Sequence, residues 1–314
     1  MELVLDENTI NRVALAGVLI EMSEPLGPTI TKEKFLGHSD LGMSLLQHLL
    51  QKENSNLRLM VISKLMSVVS VIGIKQVRPS TTALAPKPPP PSLPASHSLS
   101  AATGTCLQAW SIFELMCQLL EDKNWRVRHA TMQLLPGLAL EMGREDFDRT
   151  FAWMYLGSDN CALIRTDWVQ CCVDVAQVAG FGAGWVEEHV LPKLLESVDM
   201  KNYQMKAVLL TAMTVSDAAL SKMLGNQIIE SQLLPKAITM CSDNVPNLAL
   251  QAAEAVGAVA INEAVTTAVI EGRIKPALLQ CLKKGPDGAK PDKDVDAAAA
   301  EALTQLGVSF ERDY

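Results

Sequence analysis

The sequence predicts an all-α solenoid of about seven two-helix repeats with one disordered proline-rich insertion, and three observations carry that prediction. The first is composition. Of 314 residues, 48% are hydrophobic but only 4% aromatic. A core must therefore be built from Leu, Val, Ile, Ala and Met, which suits stacked helices better than sheets. The second is a recurring pair: Arg12 and Gly27, Arg58 and Gly73, Arg128 and Gly143, and Arg165 and Gly180 all stand 15 residues apart. Apolar residues at helical spacing lie between them, as at Ala130, Leu134, Leu138 and Met142. The third is a proline motif in the later half, at Leu191-Pro192-Lys193, Leu234-Pro235-Lys236 and Lys275-Pro276-Ala277, with prolines 43 and 41 residues apart.

Each repeat follows from these markers in order. The proline opens a first helix, in whose first turn a missing N–H costs nothing. A polar turn comes next. Asp6, Asp122, Asp159 and Asp243 lie six residues before the marker position, and Asn124, Asn160 and Asn202 stand where a side-chain oxygen can cap a helix. The second helix carries the marker itself, at Arg12, Arg58, Arg128, Arg165, Lys206, Ala249 and Asp296, and the glycine after it suits a left-handed cap. Ion pairs between Asp and Arg of the same or neighbouring turns are expected to be exposed and worth little each.

The marker steps are 46, 70, 37, 41, 43 and 47. The step of 70 contains Val77 to Cys106, whose prolines, serines and alanines cannot bury enough apolar surface to order themselves. The expected organisation is two repeats in 1–76 (the first incomplete), the insertion at 77–106, and five repeats in 107–314. Helical repeats of about 40 to 47 residues with two helices each are the HEAT class. The proline start of the first repeat would fall before Met1, so an uncovered apolar stacking surface is expected at that end.

Charge and cysteine usage narrow the function. A formal charge of −8 is the opposite of what a nucleic-acid binder needs for phosphate contacts. Apolar stretches such as Met66 to Ile74 look too short to cross a bilayer, so a soluble protein is expected, cytoplasmic and also nuclear. Seven cysteines without a C-x-x-C pair argue against zinc and for a reducing compartment.

At this point a resemblance becomes specific. Asn124-Trp125-Arg126-Val127-Arg128 leading to Leu135-Pro136-Gly137, Asn56-Leu57-Arg58-Leu59 leading to Ile72-Gly73-Ile74-Lys75-Gln76, Leu191-Pro192-Lys193 and Asn202-Tyr203 resemble the C-terminal portion of the scaffold (A) subunits of protein phosphatase 2A. The resemblance implies a HEAT-repeat scaffold without catalytic residues, cofactor or metal. It also implies that the turns between paired helices grip the phosphatase catalytic subunit, while regulatory B-type subunits are held by repeats mostly missing here. Carried over by position, the catalytic-subunit contacts are Lys123, Trp125 and Arg126 in the third turn and Asn202, Tyr203 and Lys206 in the fifth. Trp, Tyr and Arg also dominate interface hot spots in general; the competing role for Trp125 is to cap its own helix pair. Ala162, Leu248-Ala249 and Val295-Asp296 depart from that family's pattern in the fourth, sixth and seventh turns.

Other readings are a repeat adaptor for transport or assembly factors, and a docking role for Pro88 to Pro94 on an aromatic groove. An enzyme is disfavoured. Glu187-Glu188-His189 lacks the second histidine of a metal box, Gly180 to Gly184 reads as a flexible connector, Cys171-Cys172 as core, and Glu145, Asp146 and Asp148 as an acidic first turn favourable to the helix dipole. No nucleic-acid or membrane partner is expected.

Overall fold

The computed structural model describes residues 8–36, 45–51, 54–73, 115–151, 156–283 and 292–310, and the proline-rich insertion lies outside them. The described secondary structure is helical, without a strand. By its contacts the chain divides into two compact units, Met1–Met154 and Tyr155–Tyr314.

The first unit contains α1 (Thr9–Glu21), α2 (Ser23–Leu36), α3 (Leu45–Gln51), α4 (Ser55–Ile72), α5 (residues 115–120), α6 (Trp125–Met132), α7 (Leu135–Met142) and α8 (Arg144–Thr150). The second helices of successive repeats lie side by side, α1 on α4 and α4 on α6 and α7, while α2 and α3 cover α4. Leu57, Val61, Leu65, Val68 and Ile72 run down the buried side of α4. This helix is the longest apolar one in the unit. Its 18 residues and mean hydropathy of 1.4 meet the requirement for crossing a bilayer, longer than the stretch read from the sequence, yet its apolar side is occupied by α1, α2 and α6. At the other edge Ile10, Ala14, Val18 and Met22 recur every fourth residue along α1 and remain exposed, Ile10 by 76%.

The second unit contains α9 (Ala162–Gln177), α10 (Gly182–Trp185), α11 (Leu191–Val198), α12 (Tyr203–Ile228), α13 (Leu234–Met240), α14 (Pro246–Ile261), α15 (Thr267–Val269), α16 (Lys275–Cys281) and α17 (Lys293–Gln305). The second helices again form a row, α9 to α12 to α14 to α17, and first helices pair with them as α11 with α12, α13 with α14 and α16 with α17. Tyr203–Val215 and Ala219–Met240 run at 97° to each other, so α12 turns from one row into the other.

The second helices of all seven repeats share one phase. Their N-caps are Asn8, Asn54, Asn124, Cys161, Asn202, Val245 and Asp292. Every marker residue stands four positions later, and its amide donates the first α-helical bond to the N-cap carbonyl, at 3.2 Å for Arg12 and Arg58 and 2.9 Å for Asp296. The residue just before it is an apolar anchor in six of the seven, including Leu57, Val127, Ile164 and Leu248, all fully buried.

Three local expectations need correction. The marker glycines do have positive φ, at 74° for Gly27, 73° for Gly73, 76° for Gly143 and 93° for Gly180. In three of them ψ is not left-handed helical: Gly73 lies at 114°, and Gly27 at 172° and Gly143 at 166° lie in a region essentially reserved for glycine. The prolines do stand in the first turn of α11, α13 and α16 as expected, but these segments continue helical chain that begins earlier and so do not open the first helices. Pro192 follows the helix start at Gly182 by ten residues, and Pro276 follows Thr267 by nine. A wide π turn precedes each motif, Val186–Val190, Ile229–Leu233 and Ile270–Ile274. In each, the residue before the proline donates to the carbonyl five back: Leu191 to Val186, Leu234 to Ile229 and Lys275 to Ile270. The widened turn relieves the clash between the proline ring and the carbonyl four residues back, which breaks an ordinary α-helix. Finally, Gly180 to Gly184 is no flexible connector. Phe181 and Trp185 are buried, edge to face with centroids 5.6 Å apart, and pin the start of α10 into the core.

Candidate protein-binding turns

The turns are built by the capping chemistry. In the third, Asp122 Oδ1 accepts from the Asn124 amide at 2.8 Å, and Asn124 Oδ1 accepts from the Arg126 amide at 3.0 Å. Arg128 reaches back and donates through Nη1 to the Asp122 carbonyl at 2.6 Å and the Lys123 carbonyl at 3.3 Å. The fourth turn repeats this with Asp159, which accepts from the Cys161 amide at 2.8 Å, while Arg165 donates to the Asp159 carbonyl at 2.7 Å. Asn160 stands one residue before the N-cap, Cys161, and α9 carries no side-chain cap bond, so the capping expected of Asn160 is not made. In the sixth, Asp243 accepts from the Val245 amide at 3.0 Å.

The same aspartates link successive repeats. Arg58 pairs with Asp122 of the next repeat, Nε to Oδ2 at 3.1 Å and Nη2 to Oδ1 at 3.3 Å. Lys206 lies 3.9 Å from Asp243. The side chains of Arg58 and Asp122 are only 13% and 15% exposed. That corrects the expectation of exposed pairs worth little: an ion pair with one charge-assisted hydrogen bond, largely withdrawn from water, is screened less.

With its backbone held in this way, the third turn presents Lys123, Trp125 and Arg126 outward. Trp125 is 38% exposed, whereas the other described tryptophans, Trp168 and Trp185, are each 4% exposed. The Arg126 guanidinium carbon stands 5.2 Å from the Trp125 ring centroid, and His129 meets the ring edge at 6.4 Å. Trp125 is thus a surface aromatic flanked by a cation, both set by the first turn of α6.

The fifth turn is used differently. Asn202 is an N-cap, accepting from the Gln204 amide at 3.0 Å, and Lys206 faces the next repeat. Tyr203, half-buried, occupies the first helical position as Trp125 does. The Trp125 group and the Tyr203 group belong to different compact units.

One surface residue was not singled out from the sequence. Leu163, at the second helical position like Arg126, is 45% exposed; the signal is an apolar residue two after an N-cap, where the phase points outward. The arrangement offers aromatic, aliphatic and guanidinium contact surface on fixed backbone, which suits adhesion to a protein. Among the described residues, no group of three or more His, Cys, Asp or Glu side chains is placed to hold a metal.

No family model matches the chain, and no curated protein matches it. Among solved structures it is similar to Kap121p bound to RanGTP, at 12% identity and a TM-score of 0.43. It is also similar to the karyopherin Kap121p bound to the extreme C-terminus of the protein phosphatase Cdc14p, at 13% identity and a TM-score of 0.45. Both comparisons cover 96% of this chain and 26% of the other, so the chain spans about a quarter of the length of the structures it matches.

Proposed function

We propose that this chain is a non-catalytic helical-repeat adaptor that holds a protein partner on the turns between its paired helices. The observation that carries the reading is the exposed Trp125 with Arg126 over its ring, on a turn whose backbone is fixed by Asp122, Asn124 and Arg128. A rigid aromatic and a guanidinium lose little freedom on binding and can be fully desolvated by a partner, the usual makings of a hot spot.

Within that reading, the sequence resemblance favours the catalytic subunit of protein phosphatase 2A as the partner, with Lys123, Trp125, Arg126 and Tyr203 in contact and Asn202 and Lys206 supporting the fifth turn. A regulatory B-type subunit would join through the assembled enzyme. In the second reading the partner is a transport or assembly factor on the same turns.

The test is affinity purification with the full chain, followed by titration against purified phosphatase catalytic subunit. Trp125→Ala should weaken binding by about 2 kcal/mol, or roughly 30-fold. It should leave the melting profile unchanged, because the ring is at the surface. Undiminished binding by both Trp125→Ala and Tyr203→Ala removes the site assignment. Recovery of other partners with no phosphatase transfers the conclusion to the second reading.

A further inference from the structure

The second helices meet their neighbours through two distinct sides, and position relative to the N-cap tells the sides apart. Toward the following repeat, α1 uses Gly17 and Glu21, nine and thirteen residues after Asn8, and α14 uses Gly257, twelve after Val245. Toward the preceding repeat, α4 uses Met60 and Lys64, six and ten residues after Asn54, and α17 uses Ala302, ten after Asp292. The contacts that define these sides are close. The Met60 sulfur is 3.7 Å from a Cβ built at Gly17, Lys64 pairs with Glu21, and the Ala302 Cβ is 2.7 Å from one built at Gly257. The side of a second helix six to ten residues past its N-cap therefore receives the helix before it.

In α1 the receiving positions are Ala14 and Val18, and they belong to the exposed stripe that runs from Ile10 to Met22. Val18 is 54% exposed, whereas its counterpart Lys64 is engaged by Glu21 of α1. Among the described exposed side chains from Ile10 to Met22 only Glu21 is charged, and it is turned to Lys64 on the α4 side. A helix face meant for water would carry charged and polar residues at this phase. The last second helix shows the opposite choice. In α17 the positions that would face a following repeat are Glu301, Thr304 and Gln305, all exposed, and Gln305 donates to Glu301 at 3.3 Å. That face is polar, as suits a repeat face left to water.

These two faces do not suit each other. Seating the α1 stripe on α17 would press the Glu301 carboxylate against Ala14 and Val18, with no cation in the stripe to offset its desolvation. Seated on its own copy, the stripe buries apolar atoms alone. We propose that two copies of this chain pair through α1, with Ile10, Ala14, Val18 and Met22 of each packed on the same four residues of the other. The contact is isologous, so it closes at two copies instead of propagating. A helix of 13 residues is about 20 Å long, well short of an obligate interface, so the dimer should exchange with monomer at a dissociation constant on the order of 10 µM.

The test is sedimentation equilibrium of the full chain from about 1 to 100 µM. The expected result is a reversible equilibrium between monomer and dimer, without larger species. Val18→Glu puts like charges into the contact and should weaken it by about 100-fold or more. Its melting profile should not change, because Val18 is exposed in the single chain. Val18→Lys should behave in the same way. An equimolar mixture of the two variants should recover the dimer, since one surface meets itself and opposite charges then share the contact. Trp125→Ala, which removes the ring assigned to partner binding, should associate as the unaltered chain does. A chain that stays monomeric over the whole range overturns the proposal. So does association that Val18→Glu leaves intact, a mixture of the two charged variants that stays monomeric, or association that Trp125→Ala abolishes.

Discussion

Replacing Gly257 with alanine should weaken the seventh repeat, against the usual preference of helices for alanine. Gly257 lies where α14 meets α17, and a Cβ built there falls 2.7 Å from Ala302 Cβ and 3.9 Å from Ala302 Cα. Carbon atoms in contact sit about 3.5–4.0 Å apart, so the helices must part by roughly 1 Å. In an open helix glycine to alanine gains about 0.5–1 kcal/mol. Forcing a methyl into a packed contact costs about 1–3 kcal/mol, and Ala302 has no flexible end to swing aside. The clash wins, with a net loss of about 1 kcal/mol. Adding Ala302→Gly removes the obstructing methyl, so the pair should be strongly non-additive. Gly184→Ala is the matched control: it is helical, with nothing within 4 Å, and should raise stability by about 0.5–1 kcal/mol. Urea midpoints report the totals. Hydrogen exchange in α14 and α17 localises them, because repeat arrays do not always unfold as one unit. If Gly257→Ala stabilises as Gly184→Ala does, or the two substitutions simply add, the close-approach reasoning is wrong.

Glu263 has φ 57° just past the end of α14, where its amide donates to Ala260 O at 3.2 Å and the Ala264 amide to Val259 O at 2.9 Å. This is a position that favours glycine, so Glu263→Gly should raise the urea midpoint by about 1 kcal/mol equivalent; an unchanged or lower midpoint refutes the strain. For Arg58 and Asp122, a double-mutant cycle with alanine should give a coupling of about 1–2 kcal/mol, between exposed pairs and fully buried ones. Asp122→Ala should be the more damaging single change, since it also deprives the Asn124 amide of its acceptor. A coupling below about 0.3 kcal/mol would return the pair to the exposed class.

How much of this was readable from the residues depends on how far each constraint reaches. The phase of the second helices was legible because a basic residue recurs four after the N-cap, at Arg12, Arg58, Arg128, Arg165 and Lys206, where Arg128 and Arg165 reach back to carbonyls of their own turns and Arg58 and Lys206 reach an aspartate of the next repeat. The π turns were not legible. The apolar run Ile228-Ile229 before Leu233-Leu234-Pro235 reads equally well as helix or connector, and only the five-back hydrogen bond separates the cases. The ψ of Gly27 and Gly143 was hidden for a similar reason, since glycine tolerates several conformations with positive φ. The polar surroundings of Trp125 pointed to its exposure. The withdrawal of Arg58 and Asp122 from water needed the next repeat in place.

The common phase of the seven second helices divides each turn into two kinds of position. The N-cap and the third and fourth helical residues are committed to folding: they cap, anchor the core or meet the next repeat. The first and second helical residues, Trp125 and Arg126 in one turn and Ala162 and Leu163 in the next, carry almost none of that duty. Binding preference can therefore be rewritten turn by turn, like characters in a fixed type frame, while the stack beneath keeps its stability.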